Sequence, residues 1–509
     1  MSDVVGPTIA VTESVERALD AAVLRAIDGA HLARFLAARR WFGAKARAPE
    51  TARVAEVVPV AWDGDHAAVA RVVVSRDGGE TSYQLPLVAR EAEMSGAHAP
   101  RAVLARIECG GVRGVLFDAT EDAAFRARLG AALERGASCE GDGARWWAEP
   151  VGDERVPLGT VASRVGSAEQ SNTSIVWGNA AILKLFRRLE PGAHPDVDIT
   201  RFLTTVARFD GTPALLGVLH WRDAGGAESV AGMLTRFVPH AEDGWTHALA
   251  LATAHLRAPA PKRGREEENP PNPFADDAAR LGGVTRGMHR ALASRPDIPG
   301  FETAPVTAAD VSEWEASARR TIDSALALLG DRLPAIAGRT LPMARAIAAR
   351  RDAALARLAE LADAARRSPD LGLCSRHHGD YHLGQVLHAP DDRWLIIDFE
   401  GEPARPLAER SAPSSPLRDV AGMLRSFAYA AATAASTVGG LGTNAQVEVR
   451  AARWERDART RFLQAYGASA DDPLIAMFEL EKVFYELEYE LNNRMDWVWV
   501  PLRGIAKIF

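Results

Sequence analysis

Two short stretches constrain this chain more than any other: His377-His378-Gly379-Asp380-Tyr381-His382-Leu383-Gly384-Gln385, and then Leu395-Ile396-Ile397-Asp398-Phe399-Glu400. The first sets a carboxylate in a tight glycine-containing loop, with an amide side chain five residues later. The second ends an apolar run, which reads as a buried strand, on another carboxylate. Each alone has an ordinary structural reading, because Gly and Asp are common turn residues and a buried strand often ends on a solvated acid. Together, in this order and less than twenty residues apart, they demand a fold that brings a loop acid, an amide and a strand-end acid into one region.

Those are the parts needed to aim a hydroxyl at the γ-phosphate of ATP. Asp380 would orient and deprotonate the acceptor, while Gln385 and Asp398, with Glu400 as a further oxygen donor, would hold the Mg2+ that neutralises the triphosphate. The spacing from catalytic acid to metal-binding amide is that of eukaryotic-type kinases. The expected fold is therefore α+β: a bilobal protein-kinase-like fold with a mainly helical C-lobe.

Such a fold needs a phosphate-covering hairpin and a lysine on the following strand. Val161 to Val165 reads as a strand, Gly166 to Ser174 as a small polar turn, Ile175 to Trp177 as the returning strand and Ala181 to Phe186 as a third strand carrying Lys184. Gln170, Ser171, Asn172, Thr173 and Ser174 are the candidate phosphate-loop residues, acting through backbone N–H groups and hydroxyls because the loop is not a Walker sequence. Lys184 is the candidate for the α- and β-phosphates, although a lone lysine on a strand can also simply snorkel to water. A helix acid should fix it: Asp198 is the candidate and Asp196 the alternative, with a first-turn role in the helix macrodipole equally open to them. Phe237 and Val238 precede Pro239 at the expected hinge, where the nucleotide base would be bordered.

Several segments resemble bacterial maltokinase. They are Glu169-Gln170-Ser171-Asn172-Thr173-Ser174, Leu183 to Gly192, Arg236-Phe237-Val238-Pro239, His378 to Leu387, Asp398-Phe399-Glu400-Gly401-Glu402-Pro403, Ser415 to Ser426 and Tyr489 to Arg494. The likeness is dense from about residue 161 onward and looser before it. It implies transfer of the ATP γ-phosphate to the anomeric hydroxyl of maltose, giving maltose 1-phosphate for α-glucan (glycogen) synthesis from trehalose and maltose. It also implies an acceptor face on the C-terminal helix, formed by Lys482, Tyr485 and Tyr489 with Glu486 close by and walled by Trp497; His378 and His382, which flank Asp380, are further substrate candidates, with a hydrogen bond to the loop backbone the other reading of His382. By helical spacing alone the tyrosines would be core residues with wet tips. Arg494-Met495-Asp496-Trp497 departs from the Arg-Pro-Asp-Trp pattern of the family. Two rival functions stand beside this one: a kinase for another sugar or amino sugar such as glucosamine, and a nucleotide-binding pseudokinase that regulates trehalose synthase.

Composition narrows the field. A length of 509 residues suits two or three domains, and a net charge of −7 advertises neither nucleic acid nor anionic membrane as a partner. Three cysteines without a CxxC pair fit a reducing, cytoplasmic setting. Three histidines on one loop cannot converge on one zinc ion, so zinc hydrolysis is not expected. Monomer and homodimer both stay open, and trehalose synthase is the one protein partner that the resemblance suggests.

The expected organisation is a cap subdomain over residues 1–100, an intermediate subdomain and nucleotide-binding sheet over 101–240, and a helical C-lobe with catalytic loop and sugar site over 241–509. Within it, Ala21 to Ala38 reads as a helix, Val54 to Val60, Ala67 to Ser75 and Thr81 to Val88 as strands, Gly114 to Phe117 as a strand and Glu121 to Gly136 as a helix. Trp41 and Phe42 are expected to pack rather than to bind. Ala258 to Asp276, rich in Pro and charge, reads as a surface loop, followed by helices at Ala279 to Leu292, Ala308 to Leu329 and Pro342 to Ala365. Asp419, in a helix opened by Ser415-Pro416, is expected to brace the backbone of the catalytic loop, a solvated first-turn acid being the alternative.

Overall fold

The computed structural model describes residues 6–42, 49–62, 65–92, 102–166, 172–258, 271–402, 407–440 and 444–509. The chain divides into two compact units, Met1–Arg201 with Pro213–Pro239, and Phe202–Thr212 with His240–Phe509.

The first unit is built on two sheets. β1 (Thr8–Val11), β2 (Thr51–Trp62), β3 (Asp65–Arg76), β4 (Gly79–Glu91), β5 (Val103–Cys109) and β6 (Val112–Asp118) lie in the order β1-β5-β6-β4-β3-β2. The short helices α1 (Ala21–Arg25) and α2 (Gly29–Ala37) replace the single helix expected there, because Asp28 accepts from the His31 N–H and starts a new helix as its N-cap. Leu32, Phe35 and Leu36 of α2 pack on Val54, Val72 and Tyr83 of one sheet face. Trp41 and Phe42 join them as packing aromatics, with ring centroids 6.2 and 5.2 Å from Tyr83. The other face, with Val58, Val60, Val69 and Val88, shares a core with Phe125 and Leu129 of α3 (Ala123–Arg135) and with Trp146 and Trp177. Alternation along β2 thus feeds two cores, and both faces of the sheet are covered.

The second sheet has the order β7-β8-β13-β14-β11-β10-β9, from β7 (Ser138–Gly141), β8 (Ala144–Pro150), β9 (Ser163–Val165), β10 (Asn172–Trp177), β11 (Ala181–Phe186), β13 (Leu215–Arg222) and β14 (Glu228–Arg236). β12 (Arg188–Leu189) pairs with β4 of the first sheet. The buried Gln84 of β4 sits at the same junction and donates its amide to the carbonyls of Phe186 and Ala231. α4 (Pro195–Arg201) closes the first unit's helices.

The second unit is helical. Its elements are α5 (Gly244–Arg257), α6 (Ala275–Leu292), α7 (Ala308–Arg332), α8 (Thr340–Ala348), α9 (Arg351–Arg366), α10 (Leu407–Arg410), α11 (Leu417–Gly439), α12 (Ala445–Tyr466), α13 (Pro473–Asn493) and α14 (Trp499–Ile508). Small ladders join β15 (Glu242–Asp243) to β18 (Val386–His388) and β19 (Trp394–Ile396), and β16 (Ala304–Pro305) to β17 (Leu373–Cys374). The segment expected as one helix from Pro342 to Ala365 is broken between α8 and α9. Thr307 and Asp310 form a reciprocal capping box at the start of α7, and Asp472 with Pro473 opens α13. A core of Val311, Trp314, Ile322, Leu358, Phe478, Phe484 and Leu502 joins α7, α9, α13 and α14. Most of the loop expected at Ala258 to Asp276 lies outside the described residues, and α6 begins inside its last two positions. No helix among the described residues is long and apolar enough to cross a membrane.

Replacing Gln84 by Leu removes a side-chain donor from two buried carbonyls, at up to roughly 1 to 3 kcal/mol for each group. The Gln84→Leu variant should melt several degrees below wild type in a thermal denaturation scan.

Candidate active site

The loop from His377 to Gln385 is fixed by its backbone. Asp419, buried in the first turn of α11, accepts from the N–H of His378 at 2.8 Å and of Gly379 at 2.9 Å, and the His289 ring of α6 meets the same carboxylate at 2.9 Å. The brace expected from the sequence is present. Burial alone would raise this carboxyl, but the His289 hydrogen bond and the neighbouring His377 and His378 hold it far below the ordinary range. On its other side the His289 ring contacts the Tyr466 hydroxyl at 3.0 Å. Gly422 of α11 passes so close that a Cβ there would lie 2.5 Å from the Tyr381 carbonyl oxygen.

The second acidic stretch is joined to this loop. β18 and β19 pair Val386 with Ile396, and the Ile397 N–H donates to the Gln385 carbonyl at 3.0 Å, so Gln385 and Asp398 flank one end of a hairpin. Asp398 has φ 68°, a left-handed conformation uncommon for any residue but glycine and a frequent mark of functional positions. Gly379 has φ 85°, and a Cβ on it would lie 3.2 Å from the Cα of Gly401, so the two turns are in contact. His378, expected at the substrate, is instead buried, with Nε2 2.9 Å from the Ile397 carbonyl, and ties the two stretches together. His382 accepts from the Gly384 N–H at 3.0 Å, a loop-backbone contact, and its Nε2 lies 3.8 Å from the Asp380 carboxylate.

A cavity of about 430 Å³ opens beside Gly379 and Tyr381 within the second unit. Its lining carries six carboxylates, Asp310, Glu313, Glu402, Glu409, Asp419 and Glu481, against four cations, Arg320, Arg410, Arg418 and Lys482. Lys482 of α13 reaches Glu402 in a short ion pair and lies 3.5 Å from the Asp380 carboxylate. Burial by itself would lower this ammonium, yet Glu402 and Asp380 together keep it well above its ordinary value, so it stays charged. Its Nζ also sits 4.6 Å from the centre of the Tyr485 ring, which lines the cavity. Burial pushes the Cys374 thiol on the cavity wall up to about 11, which disfavours its thiolate at neutral pH.

The helix face that lines this cavity is Phe478, Glu481, Lys482 and Tyr485, which shares Lys482 and Tyr485 with the expected acceptor face. Glu486 points elsewhere and forms a buried ion pair with Arg425 at 2.7 Å. Tyr489 is exposed, and both it and Trp497 stack on the Arg494 guanidinium, at 5.4 and 5.3 Å. Neither belongs to the lining. The sequence reading missed Glu481, paired with Arg418 at 2.8 Å, and Glu402. It also missed His289. Glu481 lies four residues before Tyr485 and was legible by the same helical spacing. His289 had no local signal.

In the first unit, Lys184 of β11 pairs with Asp196 of α4 at 3.2 Å, one of the two helix acids that the sequence offered. Asn172, Thr173 and Ser174, expected in the turn, begin β10, where Ser174 stands opposite Lys184. The Thr173 hydroxyl accepts from the buried Arg187, which is paired with Asp118, so it serves the fold and is not aimed at a phosphate. Gln170 and Ser171 lie outside the described residues. The Phe237 N–H donates to the Ala180 carbonyl at 3.1 Å, and Val238 follows it just before the unit boundary at Pro239.

A braced acid loop followed by a hairpin and a second acid in one unit, and in the other a sheet whose strand lysine meets a helix carboxylate, are the parts of a protein-kinase-like fold. Solved structures share it: a glucosamine kinase in complex with glucosamine, ADP and inorganic phosphate superposes with a TM-score of 0.64 at 22% identity, covering 96% of this chain and 98% of that one. Residues 35–122 match the maltokinase N-terminal cap domain. Glucosamine kinase of Mycolicibacterium smegmatis is 31% identical over 347 residues, covering 66% of this chain and 76% of that protein. Glucosamine kinase of Streptacidiphilus jiangxiensis is 29% identical over 349 residues, covering 65% and 70%. The chain belongs to the maltokinase-like family of sugar kinases that carry this cap.

The state of Asp419 sets a pH dependence. Its value in the folded protein lies below that of the unfolded chain, so its contribution to stability is full above the ordinary carboxyl range near about pH 4 and is lost as pH falls toward the folded value. In urea titrations Asp419→Asn should be clearly less stable than wild type between neutral pH and pH 6, with the gap narrowing on acidification below about pH 4.

Proposed function

We propose that this protein transfers the γ-phosphate of ATP to a hydroxyl of an amino sugar, with glucosamine as the representative acceptor. The observation that carries this reading is the excess of carboxylates lining the cavity beside the catalytic loop. A neutral disaccharide gains only hydroxyl hydrogen bonds from those carboxylates, whereas a sugar ammonium is also attracted by their excess charge. The names of the similar proteins, glucosamine kinases, favour the same acceptor over maltose.

In this reading Asp380 accepts the proton of the acceptor hydroxyl as its oxygen bonds to the γ-phosphorus and ADP departs. Lys482 holds Asp380 and Glu402 in place from α13. Tyr485 offers a ring face to the sugar. Lys184, fixed by Asp196, is the ligand of the α- and β-phosphates. Gln385, Asp398 and Glu400 present only oxygen donors, the ligand type that magnesium prefers, and the unusual backbone of Asp398 suits a residue held for a ligand rather than for packing. Magnesium there would neutralise charge on the triphosphate.

Coupled ATPase assays across glucosamine, N-acetylglucosamine, glucose and maltose test the reading. Glucosamine should give the highest kcat/KM, and highest turnover of maltose would overturn it. With the preferred acceptor, Asp380→Asn should lower kcat by about 10²- to 10⁴-fold while nucleotide affinity holds near wild type. Lys482→Met should lower kcat/KM for the sugar by roughly one to two decades with little change in the KM for ATP.

A further inference from the structure

The second unit contains another cluster of ligating side chains that the kinase chemistry does not use. His247 in the first turn of α5, Asp277 in the first turn of α6 and His388 at the end of β18 bring a ligand atom each to within 4.8 Å of one another. His247 Nε2 lies 3.0 Å from Asp277 Oδ2, and His388 Nε2 lies 3.6 Å from Asp277 Oδ1. The imidazoles stack face to face, with centroids 4.1 Å apart and planes 27° apart, so they approach the carboxylate side by side.

Three features separate this cluster from an ordinary surface ion pair. Asp277 is 6% exposed, and the side chains of His247 and His388 are 17% and 14% exposed. His388 Nε2 is shielded from water and has no hydrogen-bond partner among the described residues, a costly state for a polar nitrogen. The remote nitrogen of the other ring, His247 Nδ1, faces the Glu242 carboxylate at 3.4 Å, the outer carboxylate contact that fixes the tautomer of a metal-bound histidine. Arg280 meets Asp277 at Oδ1, at 2.7 Å, which leaves Oδ2 as the ligating oxygen.

We propose that His247, Asp277 and His388 bind a structural divalent ion of the zinc class. Two imidazoles and a carboxylate suit zinc or cobalt rather than magnesium or calcium, which favour all-oxygen shells. Asp392, in the turn after β18 with Oδ1 3.6 Å from His388 Nε2, is placed to supply a fourth ligand, an oxygen. Binding replaces the proton between His247 and Asp277 by the metal and releases it to solvent. The ion would clip α5 and α6 to the hairpin whose other end carries Gln385 and Asp398, so it stabilises the support of the phosphoryl-transfer residues without touching them.

The test uses the full-length, tag-free protein stripped by a chelator and then titrated with Co2+. One equivalent should give the visible absorption of a low-coordinate cobalt site, and Zn2+ should bleach it and raise Tm by several degrees. His388→Gln and His247→Gln should each abolish the absorption and the Tm rise while leaving magnesium-supported turnover near wild type. X-ray absorption of the wild-type cobalt protein should count two histidine nitrogens around the metal, an outcome independent of whether either variant folds. Absence of stoichiometric cobalt absorption in wild type, its survival in both variants, or a coordination shell without histidine would overturn the proposal.

Discussion

The carboxylate of Asp419 is the interaction on which the active region depends. A loop without regular secondary structure cannot satisfy its own backbone through a ladder, and buried N–H groups without acceptors are costly. Asp419 takes two of those N–H groups, from His378 and Gly379, and is in turn held by His289. One buried charge thereby couples α11, α6 and the loop. The glycines follow from that closeness: Gly422 lets α11 approach the Tyr381 carbonyl, and Gly379 supplies a left-handed turn against Gly401.

Once the loop is pinned, the rest of the second unit arranges charge around it. His378 spans from the loop to the carbonyl of Ile397, and the pairing of β18 with β19 sets Gln385 beside the segment leading to Asp398. Lys482 is a cation shared by Glu402 and Asp380, which keeps two carboxylates close together without mutual repulsion. The cavity beside them therefore combines a fixed acid, a fixed cation and an aromatic face, with more negative than positive side chains in its wall.

Much of this was legible in the sequence because its signals are local. The order of acid, amide and strand-end acid needs no knowledge of distant packing, and the alternation of β2 to β4 exposes the sheet directly. The helix break at Asp28 was also local, an N-cap hidden inside an apolar periodicity. What escaped was set by long-range contact. His289 becomes part of the site only because α6 folds against α11, and Glu486 leaves it because a buried Arg425 on α11 claims its carboxylate. Thr173 reads as a phosphate-loop hydroxyl until the buried Arg187 takes it. Helical spacing named the right face of α13 but not which turn of it meets the cavity, since that depends on where α7 and the catalytic loop end.

The claim that most needs a direct reading is that the cavity recognises a cationic sugar. Calorimetric titration of the resting enzyme with glucosamine, N-acetylglucosamine and glucose, at low and high salt, isolates that interaction from turnover. A charge-assisted contact contributes roughly 1.5 to 3 kcal/mol, or about one to two decades in Kd. Glucosamine should bind more tightly than the two neutral sugars by about that margin, and the margin should shrink as salt rises. Equal affinities for the three sugars, or an advantage that salt does not touch, would contradict the account.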